Sequence, residues 1–241
     1  MQNPIANDPE HIEAMQADED LKILRRQIYA AIAKYRYTYN FTWFALPIIQ
    51  LPEDIMTMQE IILQVKPDLI IETGVAHGGS LVFSASMLEL LGHGEVVGVE
   101  LELRPHNRAA IESHPLSKRI KLIEGSSISD KVLAQLSAIA SGKRRVMVFL
   151  DSNHTHEHVL RELEMYSPLV TKDSYLVVFD TGIEDMPEDA FPDRPWGKGN
   201  NPKTAVWQFL KSNDRFEIDR ALESRLLYTV APDGYLKCIK D

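Results

Sequence analysis

The chain has 241 residues, 44% hydrophobic and 25% charged, the balance of an ordinary globular protein with room for one large domain and an extension. Its formal charge of −9 disfavours binding to a nucleic-acid backbone or an anionic membrane and suits a cation instead. The single Cys238 excludes an internal disulfide and a cysteine-built zinc site. No apolar run approaches the roughly 18 residues of a membrane span, and MQNPIANDPEHIEAM lacks a basic or apolar leader pattern, so a cytoplasmic protein is expected.

Residues 1–10 are polar and proline-punctuated and are expected to be mobile. From His11 to about Tyr39, the spacing of Ile12, Met15, Leu21, Leu24, Ile28 and Ile32 predicts one or two helices. The stretch from Tyr35 to Phe44 is dense in aromatic rings, which dock an extension onto its own domain or onto another subunit, and a homo-oligomer is expected. Residues 1–52 thus read as a helical and aromatic extension and 53–241 as a Rossmann-like domain, opened by a helix from Glu53 to about Val65.

The next segment, PDLIIETGVAHGGS from Pro67 to Ser80, carries most of the chemistry. Leu69, Ile70 and Ile71 form the continuous apolar run of a strand buried on both faces of a parallel sheet. Gly74, Gly78 and Gly79 allow a tight turn and close approach to a ligand, and Ser80 to Leu91 reads as the following helix, with unpaired N–H donors at its start. A second strand, Glu95 to Val99, ends on Glu100, where doubly wound sheets place the acid that holds a ribose. The glycines do not follow G-x-G-x-x-G, and Glu72 would repel a diphosphate but pair with an ammonium group. These charges favour S-adenosylmethionine over a dinucleotide.

The strand and helix alternation continues through Asn107–His114 (helix), Arg119–Glu124 (strand), Ser129–Ala140 (helix), Arg145–Leu150 (strand), His156–Tyr166 (helix) and Tyr175–Phe179 (strand). Residues 184–203 are rich in Pro, Gly and charge, the pattern of a lid or binding loop, with Trp196, Lys198 and Asn200 facing a polar substrate. A helix from Lys203 to about Ser212 follows. The end reads as a strand at Phe216–Asp219 and a hairpin of Leu226–Val230 with Tyr235–Ile239, closed by Pro232-Asp233-Gly234. The fold class is therefore α/β: a doubly wound, mostly parallel sheet of the methyltransferase type, finished by an antiparallel hairpin.

Asp151 and Asp180 end adjacent strands in this reading, and paired hard oxygens with water completing the shell suit Mg²⁺. Such an ion acidifies a substrate hydroxyl, and Asp151 or His154 is placed to take its proton. His154, His156 and His158 come close to the H-x-H-x-D-H zinc pattern without matching it, which leaves a metal-dependent hydrolase as an alternative.

PDLIIETGVAHGGS, VVGVELELRPHNRAAIESHP, LIEGSS, LDSNHTHEHV and VVFDT together resemble the cephalosporin hydroxylase family, over roughly residue 40 to the C-terminus. The resemblance implies an S-adenosylmethionine-dependent methyltransferase fold, with Glu72, Gly74, Gly78 and Ser80 at the methionine end of the cofactor, Glu100 on the ribose, and Ser126 and Ser127 near the adenine. In the family's metal site an aspartate at the place of Asp151 is joined by an adjacent Glu-Asp pair. Here that pair reads Phe179-Asp180, so Glu184 or water completes the shell, or metal affinity is reduced. The expected function is Mg²⁺-assisted methylation of a hydroxyl on a small polar acceptor such as a sugar. A non-catalytic cofactor-binding partner of an oxygenase is the other alternative.

Overall fold

A computed structural model describes residues 8–241. The expectation of a mobile start falls, for residues 1–7, outside the described residues. From Asp8 the chain is ordered by caps: the Asp8 carboxylate accepts from Glu10 N and begins helix α1 (Pro9–Ala17). Asp18 ends that helix and caps α2 (Glu19–Ala33), accepting from Leu21 N at 2.9 Å, so one acid divides the predicted helical region in two. A short 3-10 turn (Tyr37–Asn40) leads to strands β1 (Thr42–Trp43) and β2 (Leu46–Pro47), an antiparallel pair absent from the sequence reading. Their aromatics serve the docking expected of them: the Trp43 ring meets Phe83 edge-on at 5.0 Å, and its Nε1 donates to Ser86 at 3.1 Å. Tyr35, Tyr39 and Phe44 remain exposed.

After α3 (Pro52–Val65), the main sheet is built from β3 (Leu69–Thr73), β4 (Glu95–Glu100), β5 (Ile120–Glu124), β6 (Val146–Leu150), β7 (Tyr175–Val178), β8 (Phe216–Ile218) and β9 (Tyr235–Cys238). The strand order is β5-β4-β3-β6-β7-β9-β8, parallel except where β9 runs antiparallel to β7 and β8. Helices α4 (Gly79–Leu91), α5 (Pro105–Glu112), α6 (Asp130–Ala140), α7 (His156–Tyr166) and α8 (Pro202–Ser212), with the short α9 (Arg220–Glu223), complete the chain.

The continuous apolar runs of β3, β6 and β7 are buried at every residue because both faces are covered, as the sequence pattern requires. Ile70, Met147 and Val177 face one core with α3 and α4, while Ile71, Val148 and Leu176 face another with α6, α7 and α8. The order reverses between β3 and β6, and the carboxyl ends of those strands are where such a sheet opens a ligand crevice.

The expected C-terminal hairpin is present with different strands. β9 pairs with β8, not with Leu226–Val230, which forms no strand. The edge of β7 is occupied by β9, and the 226–230 segment is held instead by α3: Asp54 accepts from the Thr229 hydroxyl and, at 2.9 Å, from Val230 N. Among the described residues no helix is long and apolar enough to cross a membrane.

Candidate active site

The turn after β3 shows why three glycines stand there. Gly74 has φ +87°, and a Cβ on it would run into the backbone carbonyl of Asp151 at the end of β6. A Cβ on Gly79 would collide with the carbonyl of Pro47, so the 47–48 segment lies directly on the start of α4. Small residues here are a packing requirement as well as an opening for a ligand.

Beneath this turn Glu72 is buried, with 3% of its surface exposed. The Ser80 hydroxyl donates to its Oε1, while Oε2 has no partner. Burial pushes its carboxyl up to about 7, only partly opposed by the Ser80 bond. An unpaired carboxylate oxygen under a glycine turn fits a cationic group above it, the property the ammonium of S-adenosylmethionine would supply. Glu100, at the end of β4, accepts from Val75 N at 2.8 Å and Ala76 N at 3.0 Å and so shapes the same turn. Both of these bonds end on Oε2, while Oε1 accepts from Leu101 N at 3.0 Å and keeps a further lone pair for a hydroxyl.

The ends of β6 and β7 bring two acids and an imidazole together. Among the described residues, Asp151, His154 and Asp180 form one cluster able to hold a metal ion, with ligand atoms within 4.8 Å of one another. His154 Nε2 lies 3.4 Å from Asp180 Oδ2. Burial, then the charges of Asp180 and Glu72, hold the Asp151 carboxyl well above the usual carboxylate range. Gathered carboxylates that resist ionising together, beside an imidazole, are a donor set that fits a divalent cation. Asp180 itself sits in the left-handed region at φ 55°, a strained placement of the kind that aims functional side chains. All three line a cleft of about 500 Å³ together with Gly74, Ser80 and Glu100.

Several expected site residues are placed elsewhere. Glu184 does not join the cluster, because the chain winds into a 3-10 turn (Thr181–Asp185) directly after Asp180. Its carboxylate instead accepts from Gly199 N at 2.8 Å and from the Asn201 amide, securing the 191–201 loop. Ser126 and Ser127 are not among the residues lining the cleft. The Ser127 hydroxyl is 3.1 Å from His158 Nε2, which is 3.1 Å from Ser152, whose hydroxyl donates to the buried Glu162 at 2.6 Å. His156 is 2.8 Å from the Thr204 hydroxyl and 3.0 Å from Gln208 Oε1 and joins α7 to α8. The three histidines thus serve three different places, which overturns a zinc hydrolase site built from them.

The 184–203 segment also differs in detail. Trp196 meets the His154 ring edge-on at 4.8 Å, and Arg194 lies over its face at 5.2 Å, so both reach the cleft. Asn200 is consumed structurally, accepting from His156 N and donating to Pro195 O, and Lys198 does not line the cleft. Asn201 and Thr204 make a reciprocal cap at the start of α8.

Sequence reasoning passed over Gln50, which is buried at the cleft wall, with Nε2 donating to Asp151 Oδ2 at 3.4 Å. It carries no periodic or motif signal. Only the fold brings it to the site.

A family model for rhamnosyl O-methyltransferase/CmcI matches residues 35–239. The chain belongs to this family. Among curated relatives, a rhamnosyl O-methyltransferase of Mycobacterium leprae (strain TN) is 27% identical over 197 residues, covering 81% of this chain and 82% of that protein. The rhamnosyl O-methyltransferase of Mycobacterium bovis (strain BCG / Pasteur 1173P2) is 29% identical over 190 residues, covering 76% and 72%. Among solved structures, CmcI in an apo form superposes with a TM-score of 0.59 at 15% identity over 84% of this chain and 78% of that one. An O-methyltransferase from Bacillus cereus in complex with SAH gives 0.56 at 15% identity over 90% of both chains. At such identities the superpositions show the fold, the class I methyltransferase architecture with its C-terminal antiparallel pair. As a member of the rhamnosyl O-methyltransferase/CmcI family, the chain is an S-adenosylmethionine-dependent O-methyltransferase.

Proposed function

We propose that this chain methylates a hydroxyl of a sugar, with Asp151 and Asp180 holding a divalent cation, Mg²⁺ in the first instance, and His154 receiving the hydroxyl proton. The observation that carries the reading is the convergence of these three side chains in one cleft with the unpaired oxygen of Glu72 beneath its glycine turn. A sugar acceptor is supported by relatives named for rhamnosyl methylation, and the cation by a CmcI structure described with Mg and SAM, at a TM-score of 0.55 and 14% identity over 84% of this chain and 78% of that one.

The residues divide the work. Glu72 pairs with the ammonium of the methyl donor, Glu100 offers the remaining acceptor site on Oε1 to the ribose, and the glycine turn allows the backbone to come close to both. A cation at Asp151 and Asp180 would supply positive charge that favours loss of the acceptor's proton. His154 takes that proton, and the Asp180 carboxylate lies against the ring that would then carry the charge. Trp196, standing on His154, offers the apolar face of a sugar a surface to stack on, and the protein otherwise contributes alignment.

The test is to incubate the protein with S-adenosylmethionine, Mg²⁺ and a panel of deoxysugar glycosides. A product heavier by one methylene, lost when a chelator is added, supports the reading. Methylation that a chelator leaves untouched removes the cation from it, and no sugar methylation across the panel removes the acceptor class.

A further inference from the structure

We propose that Gln50 is a cofactor-binding residue whose side-chain oxygen accepts a hydrogen bond from the ammonium of S-adenosylmethionine, sharing that group with Glu72. The inference rests on the methyltransferase reading above.

Gln50 is 97% removed from solvent, since only 3% of its surface is exposed, yet it lines the cleft. Its Nε2 donates to Asp151 Oδ2, and the other end of the amide, Oε1, is buried and has no partner. A buried amide oxygen left unpaired is costly, and native proteins keep one where a ligand supplies the missing donor. The missing partner must be a donor, since the oxygen only accepts.

Position narrows the choice. Gln50 follows β2 and precedes α3 in the segment whose Pro47 and Ile48 lie on Gly79, at the start of the helix that carries Ser80. Ser80 in turn holds the first oxygen of Glu72, and the second oxygen of Glu72 is a further buried acceptor without a partner. Two unpaired acceptors beside one glycine turn match the several N–H donors of an ammonium better than the single donor of a hydroxyl. Gln50 also joins the two halves of the reaction, because its donor end holds Asp151 while its acceptor end holds the methyl donor.

The experiment compares two ligands on the wild-type protein and on Gln50→Met, a change that keeps length and removes both polar groups. S-adenosylhomocysteine carries the ammonium, and 5′-methylthioadenosine lacks the whole amino-acid part. Titration calorimetry should show roughly tenfold weaker binding of S-adenosylhomocysteine to the variant, the size of one hydrogen bond to a charged group, with 5′-methylthioadenosine unchanged. Gln50→Leu should repeat the pattern, and thermal unfolding of both variants checks that they are folded. Equal loss for the two ligands would make Gln50 a packing residue and overturn the inference. Unchanged S-adenosylhomocysteine binding by a folded variant would overturn it as well, while leaving the methyltransferase reading intact. Failure of the wild type to bind S-adenosylhomocysteine would remove both.

Discussion

His154 and Asp180 face each other across the end of the sheet, Nε2 to Oδ2 at 3.4 Å, one from the turn after β6 and the other from the end of β7. That geometry separates two roles for the imidazole. If His154 is the base, His154→Ala should lower kcat by about 10²–10⁴-fold while cation binding changes little. Mn²⁺ titration followed by electron paramagnetic resonance, set beside the kinetics, reads both quantities. Loss of Mn²⁺ together with turnover would make His154 a metal ligand instead.

Asp151 should give the opposite split. Asp151→Asn keeps the size of the side chain and removes a charge that faces the cation, so turnover should drop to background and cation-dependent stabilisation should vanish. Affinity for S-adenosylhomocysteine should stay within a few-fold, since a hydrogen-bonding oxygen is retained. Activity close to wild type in this variant would refute the cation-assisted mechanism.

Cofactor affinity should depend on pH through Glu72. Its carboxyl is raised to about 7 by burial, and only the ionised form pairs with an ammonium. Below that pH the group must release a proton on binding, so affinity should fall by up to about tenfold per unit as pH drops and level off above it. The same shift acts on stability with the reverse sense. The unliganded native state keeps a proton that the unfolded chain has already lost, so this group's contribution to stability declines as pH rises from the ordinary carboxylate value to about 7. Glu72→Gln should flatten the affinity profile. A profile of the same slope in that variant would assign the titration to another group.

Much of this site could be read from the residues because it lies where regular structure ends. Apolar runs locate β3, β6 and β7, and the polar residues that follow them, Glu72 within β3, Asp151 and Asp180, fall at carboxyl ends without further information. Glu184 shows the limit of that logic. It is close to Asp180 in sequence, but the left-handed backbone at Asp180 and the 3-10 turn after it send the side chain to the 191–201 loop. Gln50 is missed for a complementary reason, since its neighbours at the site come from strands and turns far along the chain. The Leu226–Val230 error arises because alternation cannot say which strand occupies an edge.

Gly74 should tolerate no side chain. At φ +87° an L residue is strained, and the Cβ of alanine would press on the Asp151 carbonyl. Because Asp151 N is held by Thr73 O at 3.0 Å, the two strand ends cannot separate freely. Gly74→Ala should cost roughly 1–3 kcal/mol by strain and displacement of the turn, and should weaken S-adenosylhomocysteine binding more than the stability loss accounts for. Calorimetry at a temperature where the variant is fully folded separates the two effects. Normal binding there would mean that the turn does not touch the cofactor.

Asp54 bears on why the C-terminal segment runs as it does. The residue is fully buried in the first turn of α3 and is the acceptor for three donors, the Thr229 hydroxyl, Val230 N and, at 2.6 Å, the Tyr235 hydroxyl. Burial raises its carboxyl to about 6, an ionisation cost that these hydrogen bonds only partly offset. Removing the acceptor strands all three donors, two of them on the segment that would otherwise be free to seek a strand partner. Asp54→Ala should therefore destabilise the fold by roughly 3 kcal/mol in denaturant titrations, whereas Asp54→Asn, which keeps one oxygen, should cost about 1 kcal/mol. The raised carboxyl sets the pH sense as well: the wild-type advantage over Asp54→Asn should shrink as pH rises from the ordinary carboxylate value to about 6, because the native state must then give up a proton it holds more tightly than the unfolded chain does. Equal stability of Asp54→Ala and wild type would show that the 226–235 segment is held by its apolar contacts alone.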